Sequence, residues 1–531
     1  MLTFFAFCYI IIVAISTKNS KEGFEMKRII ALLLALVTLT LCFAACAETV
    51  GSDETTKGDE IAAPVETEGE TAPVETEPPT DEWGRPYVES PTAEGTKLAD
   101  GTVITVLMRD SDTWNRELFS ESETGDMLND EIYKRNLKLE EDLNFKFEFI
   151  KSASKEESQR TIIAEFEGGG PSGLDLVMNY AYYSTGAALR NCYANLHTID
   201  TINLEHPWWN QTYVEAATIK DQLYFIIGDL NLSVVDRSLA IYYNATLANT
   251  LQIGNLYDTV LDGSWTIDKL LEYTKDTWVD TNQSGTIDLP DNIGIISILG
   301  SEAYDGFLTA FGIDILSKNK DGGLDIIWNP EKVSNAIDLQ ITLFNNNNGA
   351  FLHSNHSELC NKFTNGESLF WLYTIYASSA TNQSLRSMDD TYGLLPIPKY
   401  DADQQEYYTT AQDAYSIMSV MSTSKQLSAV GTVFEEWNYR SYMDILPVYC
   451  EVIMKTRYLK DVESGMIFDL ILDSIKFDTG MVYGSELDSI ATSTRSIVKN
   501  GNNTFASTYK VQQRAYTNRI KKLIQDFEKR M

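Results

Sequence analysis

From about residue 100 onward, short apolar runs alternate with amphipathic stretches, the pattern of an α/β fold. Val103-Ile104-Thr105-Val106-Leu107 predicts a strand. Asp130 to Leu143 carries Ile132, Leu139 and Leu143 at helical spacing, and Phe145 to Ile150 alternates as a second strand. Ser158 to Phe166 reads as a helix, Gly168-Gly169-Gly170-Pro171 breaks the chain, and Leu174 to Met178 resumes it as a strand. The triple glycine has the look of a phosphate cradle, but no Lys-Ser/Thr follows it, so it is read as a turn. Trp265 and Trp278 bracket a helix with Ile267, Leu270, Leu271 and Thr274 on one face, and Trp437 follows Phe434 at the same spacing. These three tryptophans are assigned to core.

Upstream of this body the pattern is different. From Met26 the chain reads Lys27-Arg28, an apolar run from Ile29 to Leu41, and then Phe43-Ala44-Ala45-Cys46. A charged start, an apolar run too short to span a bilayer, and small residues before a cysteine resemble a bacterial lipoprotein signal. The resemblance implies that 26–45 is a cleaved signal and that Cys46 is lipidated; Phe43 departs from it, since leucine is usual there. Residues 1–25 then have no role. Lys21-Glu22-Gly23 would be encoded by a stretch resembling a ribosome-binding site, so translation is expected to begin at Met26.

Residues 46–95 are rich in Glu, Thr and Pro, with Ala63 to Glu68 nearly repeated as Ala72 to Glu77. Such a segment buries too little to fold and is expected to be a disordered, extended tether. It accounts for about −12 of the formal charge of −34, so the body from 96 to 531 is acidic as well. That balance excludes a nucleic-acid binder held by phosphate neutralisation. It also excludes a polybasic grip on anionic lipid. The six cysteines, Cys8, Cys42, Cys46, Cys192, Cys360 and Cys450, form no C-x-x-C pair and no disulfide framework.

A series of local motifs follows in order along the body: Leu174 to Tyr180, Pro207-Trp208-Trp209, Gln222 to Phe225, Ile241 to Asn244, Trp265 to Leu271, and Tyr392 to Tyr400. Behind a lipoprotein signal and an acidic tether, they resemble the extracellular solute-binding proteins of carbohydrate-type ABC importers, over essentially all of 100–531. The resemblance implies a two-lobed, periplasmic-binding-protein-like (type II) α/β fold with a ligand cleft between the lobes. It implies three crossings between lobes, near Gly228–Arg237, Tyr400–Asp413 and Pro447–Lys455. Lobe one would combine about 100–232 with 405–448, and lobe two about 233–404 with 449–531. It further implies a monomer anchored on the outer face of the cell membrane. Such a protein performs no chemistry: it captures a sugar or oligosaccharide by hinge closure and hands it to a membrane permease and its ATPase. A polysaccharide-acting surface enzyme and an adhesive surface lipoprotein are the alternatives.

Signatures of catalysis are thin. His353, His356 and Cys360 have helical spacing suited to zinc, but no fourth ligand supports them, and they read as loop residues. No G-x-S-x-G elbow occurs. Sugar rings present an apolar face and a polar edge, so aromatic side chains with Asp, Asn and Arg partners are the better candidates. Asn179, Tyr180 and Tyr182 follow a strand, where open α/β sheets place ligands. Trp208 and Trp209 adjoin Pro207, Trp371 and Tyr373 lie in an apolar run, and Asp229 and Arg237 fall at the first crossing. Finally, 280–291 resembles an EF-hand loop. Asp280, Asn282, Ser284, Asp288 and Asp291 stand at positions 1, 3, 5, 9 and 12, Thr286 offers its carbonyl at 7, and Gly285 makes the turn. A structural Ca2+ is expected there, with Asp291 a shorter arm than the usual glutamate.

Overall fold

Three apolar segments near the start of the body build the first sheet: β1 (Val103–Arg109), β2 (Lys146–Ser152) and β3 (Leu174–Tyr180), all parallel. Residues 80–530 of this computed structural model are described, apart from 82–83, 111–115, 380–384, 386–387 and 460–461. The lipoprotein signal, Cys46 and the tether as far as residue 79 lie outside the described residues.

The second sheet contains β4 (Leu239–Asn244) and β5 (Ile293–Ile298). A short hairpin of β6 (Leu316–Lys318) and β7 (Leu324–Ile326) stands apart from it. Strands β8 (Ala350–His353), β9 (Ser368–Thr374) and β10 (Tyr392–Leu395) complete the sheet in the order β10-β4-β9-β5-β8. Strand β11 (Ser416–Val420) returns to the first sheet and pairs antiparallel with β3, giving the order β11-β3-β1-β2. Each sheet is the centre of one lobe.

The helices that position the site are α1 (Met127–Leu143), α2 (Lys155–Glu167), α3 (Ala181–Ala188), α4 (Leu232–Arg237), α5 (Ile267–Thr274), α6 (Leu427–Arg440), α7 (Val462–Asp473) and α8 (Phe505–Glu528). Helix α1 begins at Met127, three residues before the expected start at Asp130, because the Asp126 carboxylate caps the Asn129 amide. It ends where Asn144 turns left-handed at φ 58°. Its stripe buries Leu128, Ile132, Leu139 and Leu143, each contributing about 1.5–3 kcal/mol if fully removed from water. The triple glycine is a turn that closes α2, with Gly169 and Gly170 at positive φ. Trp265 and Trp437 are core; Trp278 is only partly buried and gives its indole N–H to Asp291.

Three segments join the lobes. The first, 228–238, contains α4, and the second is 396–415. They pair where Ser238 bridges Ala411: the Leu239 amide donates to Thr410 and the Gln412 amide to Arg237. The third leaves α6 as wide π-helical turns over Ser441–Ile445 and Val448–Leu459, and reaches α7, which packs on β10.

The two expected boundaries that differ both have a local cause. The tail does not belong wholly to lobe two. The Thr479 hydroxyl donates to the Ala216 carbonyl, the Tyr483 hydroxyl to Ala217, and the Gln222 amide to Phe527 at the end of α8, all on lobe one. Nor does the tether run to residue 95. The described chain, from residue 80, is already tied to the body ahead of residue 95: Asp81 fixes Arg85, which donates to Tyr442, and Ser90 reaches Glu436 on α6.

Candidate functional site

A cavity of about 320 Å3 opens where strand ends of both lobes meet the second crossing. Lobe one contributes Tyr180, the last residue of β3, Tyr182 and Tyr183 in the first turn of α3, and Lys155, the first residue of α2. The rings of Tyr180 and Tyr183 lie 5.8 Å apart, and Tyr182 meets Tyr183 edge-on at 5.4 Å. The Lys155 ammonium sits over two of these faces, 5.0 Å from Tyr180 and 5.2 Å from Tyr183, a cation–π arrangement.

Lobe two supplies Ser301 and Asp305, which follow β5, and Arg495. The Arg495 guanidinium grips both oxygens of Asp305, one of them from Nε at 3.0 Å. Burial pushes the Asp305 carboxyl up to about 6 against this pairing, while the hydrogen bond to Asp305 raises Arg495. The floor is the second crossing. Tyr180 donates its hydroxyl to Asp413 Oδ1 at 3.1 Å, and Gln412 donates to the same oxygen and, at 3.3 Å, to Ser301. Burial and the Asp413 charge both raise the Tyr180 phenol, so it acts as a donor at neutral pH. Among the lining side chains, two cations (Lys155 and Arg495) face two carboxylates (Asp305 and Asp413).

Of the residues singled out from the sequence, the structure brings Tyr180 and Tyr182 into this cavity. Asn179 does not line it: it is buried in β3, with no partner for its amide among the described residues. Trp208 and Trp209 are fully buried in lobe one: Trp208 packs on His206 and Tyr439, and the Trp209 indole donates to Glu435. They are core residues and not a ligand platform. Trp371 is likewise 0% exposed, stacked at 5.0 Å on Tyr373 and packed against Phe363, so neither ring is open to a ligand. Arg237 lies over the Tyr376 ring. Asp229 lines a different cavity beside Arg85, where burial pushes its carboxyl up to about 7.

In the loop at 280–291, Asp280 accepts from the Ser284 and Gly285 amides, and Asn282 lies 3.0 Å from an Asp288 oxygen. Gly285 takes φ 74°. It is the Asn282 amide nitrogen that meets Asp288, and no cluster of three His, Cys, Asp or Glu side chains placed to hold a metal ion occurs among the described residues. Asp291 is buried, and its carboxylate accepts from the Trp278 indole and from the Thr281 and Asp288 amides. It holds the base of the loop and is not a ligand. The His353, His356 and Cys360 trio forms no metal cluster among the described residues.

No family model matches the chain, and no curated protein matches it in sequence. Solved structures do resemble it. A cyclo/maltodextrin-binding protein complexed with maltotetraose is 12% identical, with a TM-score of 0.52 over 81% of this chain and 98% of that one. The GacH receptor of Streptomyces glaucescens, solved unliganded and with acarbose, is 14% identical with a TM-score of 0.50, covering 79% and 99%. An ABC substrate-binding protein from Listeria monocytogenes in complex with cycloalternan is 12% identical with a TM-score of 0.50, covering 80% and 99%. This chain therefore has the two-lobed α/β fold of the substrate-binding proteins of ABC importers.

Proposed function

We propose that the protein captures a neutral, hydroxyl-rich solute, a sugar or short oligosaccharide, in the cleft between its lobes and delivers it to a membrane permease driven by an ATPase. The observation that carries this reading is the composition of the cavity. Three tyrosines on one lobe offer faces for the C–H surface of a sugar ring, while Ser301, Gln412, Asp413 and the Asp305–Arg495 pair offer edges for its hydroxyls. The balanced charge of the lining favours an uncharged ligand. Contacts divided between lobes are satisfied together only when the lobes close, which makes closure the binding event. Neighbours of the same fold that hold maltotetraose, acarbose or cycloalternan are binding proteins and not enzymes, which supports a role without chemistry.

In this reading Cys46 carries the lipid, the protein stands on the outer face of the cell membrane, and Ca2+ held by Asp280, Asn282, Ser284, Thr286 and Asp288 braces lobe two. A thermal-shift screen of mono- and oligosaccharides tests the central step. Ligand at a hundred times its dissociation constant adds about 2.7 kcal/mol and raises the melting temperature. A melt moved by amino acids or peptides and by no sugar would refute the carbohydrate assignment.

A further inference from the structure

We propose that residues 84–90 form a strap that links the tether to the hinge, so that seating of the strap biases the opening and closing of the lobes. The segment follows the acidic tether directly, yet it belongs to the compact body. Asp81 locks Arg85 in place, with its carboxylate accepting from the Arg85 amide and from Nε at 2.9 Å each. The fixed guanidinium lies 4.4 Å from the centre of the Tyr442 ring and donates to the Tyr442 carbonyl. Tyr442 returns the contact, donating its hydroxyl to the Pro86 carbonyl at 2.6 Å.

Tyr442 lies in the π-helical part of the third crossing, a helical form that is rare and is frequent at functional sites. Gly84, Arg85 and Pro86 also wall a cavity of about 640 Å3 that shares no lining residue with the cleft. Its other walls include Asp229 of the first crossing, Cys450 and Lys455 of the third, and Asp473 of α7. The strap thus borders two of the three segments that must move relative to each other when the lobes rotate. A contact whose strength differs between the open and closed states shifts the balance between them, and the bonds to Tyr442, beside a cavity walled by Asp229, are placed to do so.

The test uses the chain from residue 47, which keeps tether, strap and body. Spin labels at Leu137→Cys and Leu261→Cys report the distance between lobes; both positions are exposed, while native Cys192, Cys360 and Cys450 are buried. Arg85→Ala is expected to shift the distance distribution without ligand and to change the dissociation constant for the best sugar about fivefold. Tyr442→Phe, which keeps the ring and loses only the bond to Pro86, is expected to shift it less in the same direction. Circular dichroism confirms that each variant is folded. The affinity arm rests on the cleft reading above; the distance arm does not. A shifted distribution with no sugar bound by any variant would keep the strap and remove the cleft reading. Unchanged distances in both folded variants, with sugar bound as before, would remove the strap alone.

Discussion

Replacing Tyr182 with alanine separates the cleft from the core most cleanly. Tyr182 is 44% exposed, and the ring contact it makes is the edge-on one with Tyr183. An edge-to-face pair contributes about 0.5–1.5 kcal/mol beyond its area, so the variant is expected to lose about 1 kcal/mol of folding stability. A tyrosine has at least about 150 Å2 to bury, so the exposed share leaves roughly 65 Å2 for a ligand to cover. At 25 cal/mol per Å2 that is about 1.6 kcal/mol, or about fifteenfold in the dissociation constant. Trp208→Ala should behave in the opposite way. Its ring is 0% exposed and packed on His206 and Tyr439, so it should cost about 3–5 kcal/mol of folding free energy and leave the affinity of the folded fraction unchanged. Titration calorimetry with the sugar that most raises the melting temperature gives the affinities, and urea unfolding gives the stabilities. If Tyr182→Ala binds as tightly as the native chain while folded Trp208→Ala binds weakly, the cavity described above is not the binding site.

Three further outcomes are expected. Cys46→Ala should abolish lipid labelling and release the protein from the membrane fraction; retention of the processed variant would contradict the anchor. Chelation should lower the melting temperature and Asp280→Ala should remove that sensitivity, whereas Asp291→Ala should destabilise the fold with or without calcium, since Asp291 holds Trp278; identical melts with chelator and with millimolar calcium would reduce the loop to a turn. Burial pushes the Glu117 carboxyl up to about 7 despite its bonds from Ser233, so between its unfolded value near 4.5 and 7 the folded state holds the extra proton and stability falls as pH rises, by about 2 kcal/mol from pH 5.5 to 8; Glu117→Gln should flatten that fall, and parallel pH profiles would show that Glu117 does not titrate there.

The fold class is legible in the sequence because the elements are locally coded. The alternation of β2, the stripe of α1 and the glycine turn after α2 need no knowledge of distant residues. The site is not local. Asp305 and Arg495 are separated by 190 residues, and Asp413 meets Tyr180 only because the chain has crossed between lobes. Nothing in either neighbourhood marks these residues. Tyr183 and Lys155 carry a faint signal, one inside the aromatic run after β3 and the other at a helix start, but neither is distinguishable from a surface residue by type. The tryptophans mislead for a related reason. A Pro-Trp-Trp sequence has the composition of a loop, yet burial is decided by what packs on it, here His206, Tyr439 and Glu435. Asp291 fits the spacing of a metal loop, but an indole and two backbone amides thirteen residues or fewer away claim its oxygens.

Capture of a sugar between the two lobes is best tested by a crystal structure grown with the sugar that gives the largest thermal shift. The expected complex holds an intact sugar with one face on Tyr182 or Tyr183 and hydroxyls within hydrogen-bond distance of Asp413 and the Asp305–Arg495 pair. A sugar bound elsewhere on the surface, held by one lobe alone, or found cleaved would contradict it.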